Sequence, residues 1–123
     1  MGYYSDVAVY VYAPEEEHNE AFAAWLAFNK ESLFMRFQDV GLSRVEVRNQ
    51  HGVLVLGCVK WYGTHVDEFM EYLHSLDKPE MPFLAWDMHV VGEEGETECL
   101  ASENTTYALG TRTVYTINGE DIV

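Results

Sequence analysis

The fold class this chain predicts is α+β, and three observations predict it. Several stretches alternate in the two-residue period of a strand, two others place apolar residues at helical spacing, and the two kinds interleave. The chain is 123 residues long, 48% hydrophobic and 14% aromatic, which is enough apolar material for one packed core. Residues 1–123 contain no linker-like stretch and no repeat, so a single domain is expected.

Val7 to Ala13 opens the pattern, with Val7, Val9 and Val11 alternating with Ala8, Tyr10 and Tyr12. Valine and tyrosine at this period fit a strand covered on both faces. Pro14 stops the strand and suits a first helical turn, and Glu15, Glu16 and Glu17 place negative charge at the positive end of a helix dipole. Phe22, Trp25, Leu26 and Asn29 then mark an amphipathic helix ending near Lys30. A second short helical piece, with a strand as the alternative, is expected over Glu31 to Val40, closed by Gly41.

Arg44 to Asn49 alternates again, and Val53 to Tyr62 follows after Gln50-His51-Gly52, so a hairpin with a positive φ at Gly52 is predicted. Thr64 is the expected N-cap of the next helix, whose buried stripe is Val66, Phe69, Met70, Leu73 and Leu76. Leu84, Trp86, Met88 and Val90 share one face of a strand from Phe83 to Val91. Glu93-Glu94-Gly95 turns the chain into a short strand, Glu96 to Ala101, and Thr111 to Ile117 reads as a last strand. The first six elements spell β-α-β-β-α-β, the ferredoxin-like pattern of an antiparallel sheet with two helices on one face, with extra C-terminal strands. The other sheet face must be covered by those strands or by a second copy. Tyr10, Tyr12, Val55 and Trp61 supply apolar surface for a homodimer.

Charge is the most unusual bulk property. Twenty-one acids against seven bases give a formal net charge of −14. Such a surface repels nucleic acid phosphates and anionic membranes and favours basic partners. No apolar run approaches the roughly 18 residues of a membrane span, and the N-terminus has no signal-peptide pattern, so a cytoplasmic protein is expected.

No metal, cofactor or catalytic motif emerges. His18, His51, His65, His74 and His89 include no His-x-His or His-Glu-x-x-His spacing. His65-x-x-Glu68 and Glu71-x-x-His74 lie on a helix whose inward stripe is already apolar, so an exposed polar face accounts for them. Cys58 and Cys99 fall on predicted strands, where a thiol commonly acts as a small buried hydrophobe. They can pair only if those strands are neighbours. Glycine-rich phosphate loops and nucleophile elbows are absent.

Two surfaces remain as candidate sites. Glu93, Glu94, Glu96 and Glu98, with Glu103 nearby, crowd like charges around a hairpin, which opposes strand formation and points to a partner with a basic surface. Arg44, Arg48 and Lys60 beside Tyr62 are the alternative, a cradle for the phosphate of a small nucleotide, unless they pair with Glu46 and other acids.

Three segments carry a resemblance. Met1-Gly2-Tyr3-Tyr4-Ser5-Asp6-Val7-Ala8, Val59-Lys60-Trp61-Tyr62 and Thr111-Arg112-Thr113-Val114-Tyr115 resemble a group of small tailed-bacteriophage proteins beginning Met-Gly-Tyr-Tyr-Ser/Thr. The resemblance implies a phage protein acting in the host cytoplasm and carries over no catalytic residue. Together with the acidity it implies an inhibitor that contacts a host protein, in defence or nucleic acid binding. A small-nucleotide sponge is the second reading and a small enzyme the third.

Overall fold

The computed structural model describes residues 4–49, 51–92, 95–111, 115–118 and 120–121. Strand β1, Tyr4–Tyr12, is central because it has something to bury on both sides. Val7, Val9 and Val11 enter one apolar core, and Ala8, Tyr10 and Tyr12 enter another. It pairs antiparallel with β3, Gly52–Lys60, and with β4, Ala85–Gly92. Strand β2, Arg44–Asn49, lies outside β3, and β5, Thr97–Ala101, outside β4, giving the order β2-β3-β1-β4-β5.

Helix α1 is one continuous run, Asn19–Asp39, and this corrects the expectation of two pieces divided near Lys30. Phe22, Leu26, Leu33 and Phe37 keep a single helical stripe across the supposed break, and no Gly or Pro interrupts it. Asn29 bridges the same point by donating its side-chain amide to the Trp25 carbonyl at 2.9 Å. The glutamates expected in the first helical turn form a separate 3-10 turn, Glu16–His18.

Gly41 closes α1 as expected. Its φ of +86° lets Gly41 N–H reach the Gln38 carbonyl at 2.9 Å while Leu42 N–H reaches Phe37 at 2.8 Å. This is the Schellman pattern, with Leu42 and Phe37 both buried as its apolar contact.

At the β2–β3 hairpin the glycine has a different role from the one expected. Gly52 does not have positive φ; a Cβ there would strike the Tyr10 ring at 2.6 Å, so glycine is needed for close approach. A register shift between Val45 and Val47 marks a bulge in β2.

Helix α2, Thr64–Ser75, starts one residue earlier than predicted: Gly63, at φ +103°, is the N-cap and Thr64 the first helical residue. The Gly63 carbonyl takes the N–H groups of Val66 and Asp67 at 3.1 and 3.2 Å, so the Thr64 hydroxyl is not needed as a cap. Val66, Phe69 and Leu73 are buried as the stripe requires.

Both helices pack on one face, where Phe22, Leu33 and Phe37 of α1 and Phe69 and Leu73 of α2 meet Val9, Val55, Trp86 and Met88. The opposite face is covered within the chain by a C-terminal strap containing β6, Leu109–Thr111, β7, Tyr115–Ile117, and β8, Glu120–Asp121. Tyr10 and Tyr12 are therefore interior, Val55 is buried on the other face beneath the helices, and Trp61 packs edge-on against Phe69 at 5.9 Å. This corrects the reading of these four residues as dimer surface. The predicted last strand, Thr111 to Ile117, is in fact parts of two antiparallel strands, its middle lying outside the described residues.

The architecture is α+β, a five-stranded antiparallel sheet with two helices, and is consistent with a ferredoxin-like type of fold. Edge strand β5 and the second, three-stranded sheet depart from the strict pattern. No helix among the described residues is long and apolar enough to cross a membrane.

Candidate functional site

Alternation along β4 sends Trp86, Met88 and Val90 to the helices and leaves Asp87 and His89 on the strap side. Asp87 is 3% exposed. Burying a carboxylate is tolerable only when donors surround it. Tyr12 supplies its hydroxyl at 3.1 and 3.0 Å to the two oxygens, Leu109 its N–H at 3.2 Å, and Thr105 its hydroxyl at 2.5 Å. Tyr12 Oη in turn accepts the Thr106 N–H at 2.9 Å. Tyr10 stacks on Tyr12 with centroids 4.7 Å apart. Burial raises both phenol pKa values; the Tyr12 charge and then the Asp87 charge add to the effect at Tyr10.

This network fastens the strap. Tyr107, 81% exposed, is held at φ +55°, a left-handed conformation that costs an ordinary residue about 1–2 kcal/mol. Its N–H bonds to Thr105 Oγ1 at 2.9 Å, and Asn118, also left-handed, donates to the Ala108 carbonyl at 2.7 Å. Leu109 is gripped twice, by Asp87 at its N–H and by His89 through a backbone hydrogen bond.

Burial lowers the His89 pKa from 6.5, outweighing the Asp87 charge and the Leu109 hydrogen bond, which raise it. The unfolded chain therefore takes up this proton first on acidification. The stability linked to His89 is complete above pH 6.5 and is lost as the pH falls through the window between 6.5 and the lower folded value. Unfolding free energies measured from pH 7.5 to 5 should decline more steeply for the wild type than for His89→Gln. Equal slopes would show that His89 does not carry the effect.

The register also sets His89 opposite Cys99 and Asp6 opposite Cys58, while β1 and β4 separate β3 from β5. The two thiols thus do not pair. Both cysteines are exposed, which corrects the expectation of buried ones. A thiol beside an imidazole can serve as a nucleophile and base. Here Asp87 directs its oxygens to Tyr12, Thr105 and Leu109, orienting the strap.

Glu93 and Glu94 lie outside the described residues. Glu96 folds its carboxylate over Gly92, and Glu98 is exposed on β5 at the register of Val90. Glu103 stands beyond the other end of β5, donating its N–H to Asp77 Oδ1 and Oδ2 at 3.2 and 3.1 Å. Of the acids predicted as one surface, the described Glu96, Glu98 and Glu103 therefore lie towards the two ends of the edge strand.

The chain matches no known family model, no curated protein and no solved structure.

The residues of the alternative cradle lie on β2, on β3 and just beyond it. Arg44 forms an ion pair with Glu46, as anticipated, and sits at the register of Leu56. After the bulge Arg48 stands at the register of Val53. Lys60 pairs with Tyr4, with Nζ 5.7 Å from that ring, and Tyr62 is half exposed beyond the strand. His65, Glu68, Glu71 and His74 are exposed on α2, as expected, and the His74 ring packs edge-on against Trp86 at 5.3 Å. Glu15, Glu17 and His18 bring potential ligand atoms within 4.8 Å of one another, in an exposed acidic turn.

Sequence reasoning missed Asp87, Thr105 and Thr106. One signal was available: Asp87 interrupts a strand whose other residues read as buried, and a charge there needs donors from elsewhere in the chain.

Proposed function

We propose that this protein is an acidic, phage-encoded binding protein that blocks a host protein by direct contact, acting in the host cytoplasm on a basic surface such as a nucleic-acid-binding groove. The domain serves as a ferredoxin-like scaffold that holds fixed negative charge at its β5 edge. The observation that carries the reading is the exposed pair Glu96 and Glu98 on and beside an edge strand. Like charges there oppose strand formation and add no packing. Protecting an edge from unwanted pairing calls for charge, but lysine serves that end as well as glutamate. A uniform negative sign, in a chain of net charge −14, suits a basic partner.

Capture from bacterial lysate on the immobilised protein, at low and high salt, tests the proposal. Binding should be strong at low salt and fall steeply as exposed charges become screened over about 10 Å at roughly 0.1 M salt. Changing Glu93, Glu94, Glu96 and Glu98 to Gln should slow association at least about tenfold with the fold intact. Unchanged binding and salt dependence in that variant would remove β5 from the interface.

A further inference from the structure

We infer that the free edge of β5 is a strand-addition site: an extended segment of the partner, with Lys or Arg at every second position, pairs antiparallel with Thr97, Cys99 and Ala101. This rests on the β5 edge being the binding surface proposed above, and it adds how the partner is held and what shape it presents there.

The backbone specifies a strand as the occupant. Gly92 N–H donates to the Glu96 carbonyl and Ser102 N–H to the Trp86 carbonyl, each at 2.8 Å. Between these two bonds the β4–β5 register runs without a shift, from Val91 opposite Thr97 to Asp87 opposite Ala101. An antiparallel ladder turns the backbone groups of alternate residues inward, so Glu98 and Leu100 face β4 as Glu96 and Ser102 do. Thr97, Cys99 and Ala101 therefore point their N–H and C=O groups away from the sheet. β5 is the last strand on its side, and no described residue bonds to these groups. Such a row is a template for a further strand. At the opposite edge the bulge between Val45 and Val47 of β2 works against such pairing.

The side chains specify what that strand carries. Leu100 packs against the helix-side core, so alternation puts Glu96 and Glu98 on the same face and Thr97, Cys99 and Ala101 on the other. Residues 92–104 contain five glutamates and no base. In the loop after α2, Asp77 and Glu80 outnumber Lys78, and Asp77 reaches this edge by accepting Glu103 N–H. A second copy pairing here would lay one acidic segment along another, with a net charge of −14 on each chain. A strand with Lys or Arg opposite Glu96 and Glu98, and uncharged residues opposite Thr97, Cys99 and Ala101, offsets the acids and completes the ladder.

A nine-residue synthetic peptide alternating Lys and Thr tests this on the full chain, beside two methylated forms of the same charge. One form carries methyl groups on its threonine backbone nitrogens, the other on its lysine backbone nitrogens. Antiparallel pairing turns the threonine N–H groups towards β5 and the lysine N–H groups away from it. In calorimetric titrations at about 0.05 M salt, where screening is weak, the lysine-methylated form should bind like the parent peptide. The threonine-methylated form should bind at least about tenfold more weakly, having lost its donors to the edge. Equal binding of the two methylated forms would overturn strand addition. With the parent peptide bound, amide exchange followed by NMR should slow at Thr97, Cys99 and Ala101; unchanged exchange there would overturn it as well. Cys99→Pro removes an outward N–H and no bond to β4, so it should weaken the parent peptide at least about tenfold with an unchanged far-ultraviolet dichroism spectrum. The role of the β5 acids in host binding fails separately, through unchanged host capture by the four-Gln variant, whereas the methylated pair reads strand addition alone.

Discussion

Asp87→Ala should lower the unfolding free energy by about 2–4 kcal/mol, since hydrogen bonds to a charged group contribute about 1.5–3 kcal/mol and the donors left behind lose their acceptor. The carboxylate is buried and accepts from Tyr12, Thr105 and the Leu109 N–H. Its removal leaves two hydroxyls and an amide competing for too few acceptors, and each unsatisfied buried group costs about 1–3 kcal/mol. The loss should be concentrated in the strap, because Asp87 links its Thr105 and Leu109 to Tyr12 of β1. Limited proteolysis should therefore cut near Thr105 to Leu109 before the rest of the domain. Asp87→Asn keeps the shape and one acceptor oxygen, so its loss should be smaller. Urea unfolding of the three proteins gives the comparison; a loss below about 1 kcal/mol for Asp87→Ala would mean the strap is held by its apolar contacts instead.

Phe37→Ala should cost about 3–5 kcal/mol, for a different reason. Phe37 is fully buried, 5.8 Å from Phe69 of α2 and 6.1 Å from Phe34 by ring centroids. Its truncation opens a cavity where the two helices meet the sheet, and the close packing of an interior allows little collapse. The same residue provides the carbonyl that ends α1 through Leu42 N–H at 2.8 Å. Guanidinium unfolding followed by dichroism should show a lower midpoint with α1 still helical, because the backbone bonds at its C-terminus do not depend on the ring.

Much of the scaffold was legible in the chain because its signals are local. Val7, Val9 and Val11 alternating with Ala8, Tyr10 and Tyr12 specify a strand buried on both faces, and the structure places it at the sheet centre. The stripe Val66, Phe69 and Leu73 specifies α2, and Gly41 marks the end of α1. Each of these depends on backbone sterics and on spacing within a few residues, which sequence carries directly.

Long-range packing settled the rest. Continuity of α1 past Lys30 depends on Leu33 and Phe37 finding the same sheet face as Phe22. The role of Gly52 depends on Tyr10, which lies forty-two residues earlier and reaches it only because β1 pairs with β3. The choice between a strap and a second copy over Tyr10 and Tyr12 was open in the sequence because apolar area specifies burial without specifying what buries it. Asp87 resolves that choice through directional bonds to Thr105 and Leu109, donors separated from it by 18 and 22 residues. Hydrogen bonds over such separations leave no periodic trace, so they become visible only once the chain has folded.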